Sequence, residues 1–239
     1  AVTEARALPL TDCKRSIGHR DWTCETRLVP QVPADRLPKF PRLRRASPIT
    51  KFAMAAALEA LQAAGFPNGA DAGRLGTIQC MFKGWVQFGG RFHHEVIETP
   101  ALASPLIFPE TVYNAPASHI AAFLGVDGPV STLIGESSAI MEGVAMAHTW
   151  LVQGLVDQVL LIGAEESDWV AVEATSYYHP DLKSSEGAGA LLLSLAEKGL
   201  PLRHSSALAF HSEHERAEKL RELPLAAAPI CITSESGIA

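Results

Sequence analysis

Gly135-Glu136-Ser137-Ser138-Ala139 stands where an apolar stretch, VSTLIG, gives way to a helix-forming one, SSAIMEGVAMAHTWLVQG. A hydroxyl on such a turn is exposed, and the helix amides and dipole behind it stabilise developing negative charge. That is where an acyl-transfer nucleophile belongs. Serine is also a favoured helix cap, so Ser137 or Ser138 could equally do no more than satisfy the first free amides. The run is a loose relative of the GxSxG nucleophile elbow, with Ala139 replacing the second glycine and no evident Ser-Asp-His order downstream.

A serine hydroxyl needs a positioned base, and nine histidines are present. His211 and His214 share a helix face at i,i+3 spacing, flanked by Glu213 and Glu215. As metal ligands they would need two further groups, and no paired cysteines support them, so a solvated helix face is the default and no metal is expected. His93, His94 and His148 read as structural. A second cluster is electrostatic: Arg36, Lys39, Arg42, Arg44, Arg45 and Lys51 follow one another with no acid among them. With 20 basic against 26 acidic residues overall, this is a local positive patch, either a solvated arm or a docking surface. Aromatic interleaving is limited to Phe40 and Phe52, which disfavours RNA.

The elements that must position these groups follow from the pattern. Hydrophobic residues at 47% and charged ones at 19% exclude global disorder, and a net charge of −6 argues against nucleic acid held by an overall positive field. No apolar stretch reaches a membrane span, and AVTEARALPL lacks the basic-then-apolar order of a signal peptide. The four cysteines form no CxxC pair, so reduced thiols in a cytoplasmic protein are expected. Residues 1–48 carry six of the sixteen prolines and read as an irregular arm with Trp22 as an anchor. Ser47-Pro48 starts a helix that runs to Gly65. A strand over 74–82, a Gly-rich loop through Trp85, Gly89 and Gly90, and helices over 92–99 and 116–124 come next. From Pro129 strand, helix and strand follow with short joints, a βαβ unit that implies a parallel sheet covered by helices. Strands over 186–197, 202–210 and 229–235 and a charged helix over 211–222 complete the pattern.

The stretch from Val112 to Glu166 carries Asn114, Pro116, Gly128-Pro129, the Ser137 turn, Gly154 and Gly163-Ala164-Glu165 in order, and Ser185-Glu186-Gly187-Ala188-Gly189 follows. This resembles the N-terminal half of a β-ketoacyl synthase, of the thiolase superfamily, over about residues 49–199. The resemblance implies an α/β fold, thiolase-like and layered αβα, with one full N-terminal half (49–199) and a rudimentary second half (200–239). Counted back from Gly154, the family's nucleophilic cysteine falls on Ser137, so ordinary condensation through a thioester is not expected. Forty residues after Gly199 do not make a second half, which in the family supplies the histidines. A base for Ser137 would then be His179, in the loop after the second strand of the βαβ unit, which borders the substrate channel in ketosynthases. His119 lies in the family's Asn-Pro-Ala helix and reads as a satisfied buried histidine.

Chain-length factors, the non-condensing partners of type II ketosynthases, also lack the cysteine, and short chains of this kind occur in aryl-polyene-like pathways. By that resemblance the chain pairs with a catalytic ketosynthase as a heterodimer in fatty-acid or polyene synthesis. Phe123, Ser138 and Met141 would shape the end of the acyl channel, and Arg42, Arg44, Arg45 and Lys51 would dock an acidic acyl carrier protein. The strand VSTLIG would pair across the two-fold axis. No cofactor is implied. The alternative is an enzyme, in which Ser137 takes an acyl group from a carrier protein or coenzyme A thioester as an acyltransferase or hydrolase. A third reading is a decayed paralogue that keeps only an interaction surface.

Overall fold

The computed structural model describes residues 8–17, 19–30, 32, 37–66, 73–135 and 138–195, with Ser212, His214 and Glu218 beyond them. The chain divides into two units, 1–195 and 196–239. In the second, His214 Nε2 lies 3.4 Å from Glu218 Oε1 across one helical turn. The expected strands over 202–210 and 229–235, most of the helix over 211–222, and His211, Arg36 and Ser137 lie outside the described residues.

The first unit is built on a four-stranded sheet in the order β4-β3-β5-β6. Its centre is β3 (Leu75–Met81), buried along its whole length, and β5 (Gln158–Glu165), whose Val159 to Ile162 are inaccessible to water. Apolar residues on both faces of a strand require helices on both faces of the sheet. They are α1 (Pro48–Ala63) and α3 (Ala115–Leu124) on one side and α4 (Ala139–Val152) on the other. Two hydrophobic clusters result. Ile49, Met54 and Leu61 of α1 meet Leu160 and Ile162, while Val144, Ala147 and Leu151 of α4 meet Ile78 and Leu161. Gly143 permits the second contact, because a Cβ there would lie 2.6 Å from Leu161 Cδ1 and 2.8 Å from Cys80 Sγ.

β3 runs parallel to β5 and to β4 (Val130–Ile134), as the βαβ pattern requires. β6 (Gly187–Ser194), to which the sequence pattern assigned no sense, pairs antiparallel with β5 from Glu165↔Gly187 to Gln158↔Ser194, so the sheet is mixed. Between them in the chain stands α5 (Trp169–Tyr178). The chain enters β6 at the carboxyl end of β5 and runs back.

Two elements depart from the sequence pattern. The arm read as irregular contains an antiparallel hairpin, β1 (Thr11–Ile17) and β2 (Arg20–Thr26), and a 3-10 turn at Pro41–Arg44. The hairpin packs on α5, with the Arg15 guanidinium 3.1 Å from the centre of the Trp169 ring, and Trp22 stands directly opposite Arg15. The loop expected through Gly89 and Gly90 is helical: α2 spans Val86–Glu98. Gly89 is required there because the Trp85 ring lies within 2 Å of where its Cβ would be.

Candidate functional site

The carboxyl ends of parallel strands are where α/β sheets hold their sites. Here β3 delivers Phe82 and Lys83, and β5 delivers Glu165, to the rim of an open cleft of about 660 Å³. Ala139 and Ile140, the first residues of α4, form another wall, and Ser184 to Gly189 close it. Two sequence motifs thus meet residue for residue: Gly163, Ala164 and Glu165 pair with Gly189, Ala188 and Gly187.

The acidic residues of these motifs hold backbone. Glu165 accepts from the amides of Phe82 and Lys83. Glu166, fully buried, accepts from Ile49 N at 2.9 Å and Gln87 N at 2.8 Å, the first turns of α1 and α2. Glu186 accepts from Val29 N at 2.9 Å and Ser167 N at 3.1 Å. Burial pushes Glu165 above the ordinary carboxylate range and Glu166 up to about 7, in each case against its amide donors.

Lys83 sits among these acids. Its Nζ donates to Ser167 Oγ at 3.0 Å, Ser184 Oγ at 3.1 Å and the Ser185 carbonyl at 3.1 Å, and the two hydroxyls are 2.8 Å apart. Burial lowers its pKa against the pull of Glu165 and Glu186. An ammonium has three N–H donors, and all three are engaged, so Lys83 is a clamp joining three loops and not a free base. Sequence reasoning missed it, because its acceptors lie 84 to 102 residues away.

Ser137 is outside the described residues, but the flanks of its turn are placed. Gly135 N donates to Met81 O at 3.1 Å, and Ser138 occupies the cap of α4 without a side-chain capping bond. Ala139 and Ile140 reach the cleft wall, whereas Ser138 and Met141 are not among its lining. Phe123 lies in the α1/α3 cluster, where its ring meets Phe40 edge-on at 5.6 Å, while α4 covers the opposite face of the sheet. The two flanks proposed for the channel end are therefore not brought together within the chain.

The histidines are similarly scattered. His179 caps the C-terminus of α5, is exposed, and is not in the cleft lining, though Thr175 and Leu182 on either side are. His119 Nε2 lies 2.6 Å from Glu110 Oε1, and Glu110 Oε2 accepts from Ser47 N at 3.0 Å. Burial works to raise the Glu110 pKa, but the His119 and Ser47 bonds outweigh it and hold the carboxyl below its ordinary value. His94 pairs with Glu98 on α2. No group of three or more His, Cys, Asp or Glu among the described residues could hold a metal ion. Arg42, Arg44 and Arg45 are exposed on and after the 3-10 turn, and Lys51 is half-buried in the first turn of α1. None of the four is in an ion pair among the described residues.

A family model, the β-ketoacyl synthase N-terminal domain, matches residues 34–178, which include β3, α4, β5 and α5. The chain belongs to the β-ketoacyl synthase family. The layered αβα fold of this ketosynthase-like chain is thiolase-like, as the motifs implied, and 1–195 holds one N-terminal-type half. Among solved structures it is similar to the ishigamide ketosynthase/chain length factor, with a TM-score of 0.61 and 19% identity over 73% of this chain and 51% of that one. It is also similar to the ketosynthase ApeO in complex with its chain length factor ApeC from Xenorhabdus doucetiae, with a TM-score of 0.54 and 16% identity over 70% and 66% of the two chains. A third is AntDE:AntF, a type II PKS acyl-carrier protein in complex with its ketosynthase, with a TM-score of 0.60 and 17% identity over 71% and 52%. The ketosynthase-like chain spans about half the length of the first of these. No curated protein matches it. No helix among the described residues is long and apolar enough to cross a membrane.

Proposed function

We propose that this chain is a non-condensing, chain-length-factor-like partner of a catalytic β-ketoacyl synthase in type II fatty-acid or polyene (polyketide) biosynthesis. The observation that carries the reading is the turn before α4. The family's nucleophilic cysteine falls on Ser137, and the described cysteines stand elsewhere: Cys13 and Cys24 in the hairpin, Cys80 inside β3. Burial pushes the Cys80 thiol up to about 12, so it is no substitute nucleophile. The form of the sheet supports a partner. β4 is an edge strand, with Val130 43% and Ile134 55% exposed, and an uncovered apolar edge is a template for another chain. The cations Arg42, Arg44, Arg45 and Lys51, in no ion pair among the described residues, suit brief docking of an acidic carrier protein. Co-expression with a ketosynthase encoded beside it is expected to yield a stoichiometric complex. A soluble monomer that binds no ketosynthase overturns the proposal.

The cleft favours a second reading. It opens against Ala139, two residues from Ser137, which suits a serine that accepts an acyl group from a carrier-protein or coenzyme A thioester. Intact-protein mass after exposure to acyl carrier protein separates the two. An acyl adduct lost in Ser137→Ala supports the acyltransferase. An unmodified chain, with pathway output unchanged in Ser137→Ala, supports the partner.

A further inference from the structure

Cys13 and Cys24 occupy directly opposed positions in the β1/β2 ladder. Opposed residues of an antiparallel pair project from the same face, with Cα atoms about 4.5 or 5.5 Å apart according to whether the pair is hydrogen-bonded. Both distances lie within the roughly 4.4–6.8 Å that a disulfide spans. The alternation of exposure along the hairpin identifies the face. Cys13, Arg15, Trp22 and Cys24 are half-buried, whereas Asp12, Lys14, Ser16, Asp21, Thr23 and Glu25 are exposed. The cysteines therefore share the face that lies on α5, beside Arg15 stacked on Trp169. Both are free thiols, and neither is sealed from solvent.

We propose that Cys13 and Cys24 form a reversible cross-strand disulfide by exchange with a small-molecule disulfide of the glutathione type. In the first step the thiolate of one cysteine attacks a sulfur of the oxidant, forming a mixed disulfide and releasing one small thiol. The opposed cysteine then loses its proton and attacks the protein sulfur of that mixed disulfide, releasing the second small thiol. Two cysteine thiols lose two electrons and two protons, and one oxidant disulfide becomes two thiols. The second step is fast because the ladder already holds the resolving sulfur in place. Desolvation first, then Cys24 and Asp168, favour the thiol form of Cys13, which slows its own attack on a disulfide. Cys80 takes no part, being buried in β3.

The test is oxidation of the full chain under native conditions in graded mixtures of reduced and oxidised glutathione, followed by alkylation and non-reducing peptide mapping. Tryptic cleavage between the two cysteines is expected to leave their peptides joined, two hydrogens lighter than the sum of the separate peptides and parted by dithiothreitol. In Cys24→Ser, Cys13 is expected to stop at the glutathione adduct. Recovery of wild-type Cys13 and Cys24 as separate glutathione adducts or alkylated thiols in the most oxidising mixture overturns the proposal. So does pairing of either with Cys80 or Cys231.

Discussion

The Glu166 carboxylate accepts the Ile49 amide at 2.9 Å, and its other oxygen accepts the Gln87 amide at 2.8 Å. One side chain at the end of β5 therefore fixes the starts of α1 and α2, the two helices that lead into and out of β3. A carboxylate buried this deeply is a poor place for a full negative charge, even with two amides donating to it. That is why burial pushes its pKa up to about 7.

The sign of the resulting pH dependence is fixed. A folded-state pKa above the unfolded value means that the folded chain holds the proton more tightly, so stability rises as pH falls. The contribution is complete below the ordinary carboxylate value of 4.5 and is lost as pH rises through about 7. Thermal midpoints are expected to fall between pH 5.5 and 8. Glu166→Gln is expected to be less stable at pH 5.5, where its amide nitrogen faces a backbone N–H, and to show a flatter profile across the window. Calorimetry of both chains over that range decides it, and a wild-type midpoint that climbs with pH would refute the assignment.

Lys83 is predicted to act through stability. Lys83→Met removes donors from Ser167, Ser184 and Ser185 and takes away a cation whose charge is coupled to Glu165 and Glu186. The expected loss is about 1–3 kcal/mol in urea unfolding, the cost of stranding buried polar groups.

Gly143 sets how closely α4 approaches the sheet. Gly143→Ala places a methyl 2.6 Å from Leu161 Cδ1 and 2.8 Å from Cys80 Sγ. Overpacking of this kind costs roughly 1–3 kcal/mol. Because α4 begins at the cleft wall, the variant is also expected to alter amide exchange at Ala139 and Ile140.

The edge strand gives the direct test of partnership. Ile134→Lys puts a charge on a side chain that is already 55% exposed, so the chain's own stability should move by no more than about 0.5 kcal/mol. Co-purification with a ketosynthase should be lost. A variant that still elutes with its partner in gel filtration would show that β4 is not the contact.

The parts of this fold that could be read from the sequence are those whose cause is local. Pro48 after Ser47 starts α1, and VSTLIG followed by a helix and VLLIGA makes a βαβ unit because apolar runs of strand length flank a helix with small residues. Glu165, Glu186 and Gly187 were legible as motif, but not as neighbours, since the sense in which β6 pairs with β5 is set by tertiary packing and not by the local pattern. The hairpin escaped notice because its inward face is Cys13, Arg15, Trp22 and Cys24, not a run of β-branched residues. Gly89 and Gly90 argue for a loop until Trp85 is seen lying over Gly89. Lys83 reads as any surface lysine until Ser167, Ser184 and Ser185 converge on it.

The anchoring of α1 also dictates an order of assembly. Its first amides, at Ser47 and Ile49, are held by Glu110 and Glu166, which follow 63 and 117 residues later. At synthesis rates of about 5–20 residues per second, Ile49 waits on the order of ten seconds for its acceptor to leave the ribosome. Until then the apolar stripe of Ile49, Met54 and Leu61 has no β5 to cover it. Refolding should be slowed by the closure of these long loops.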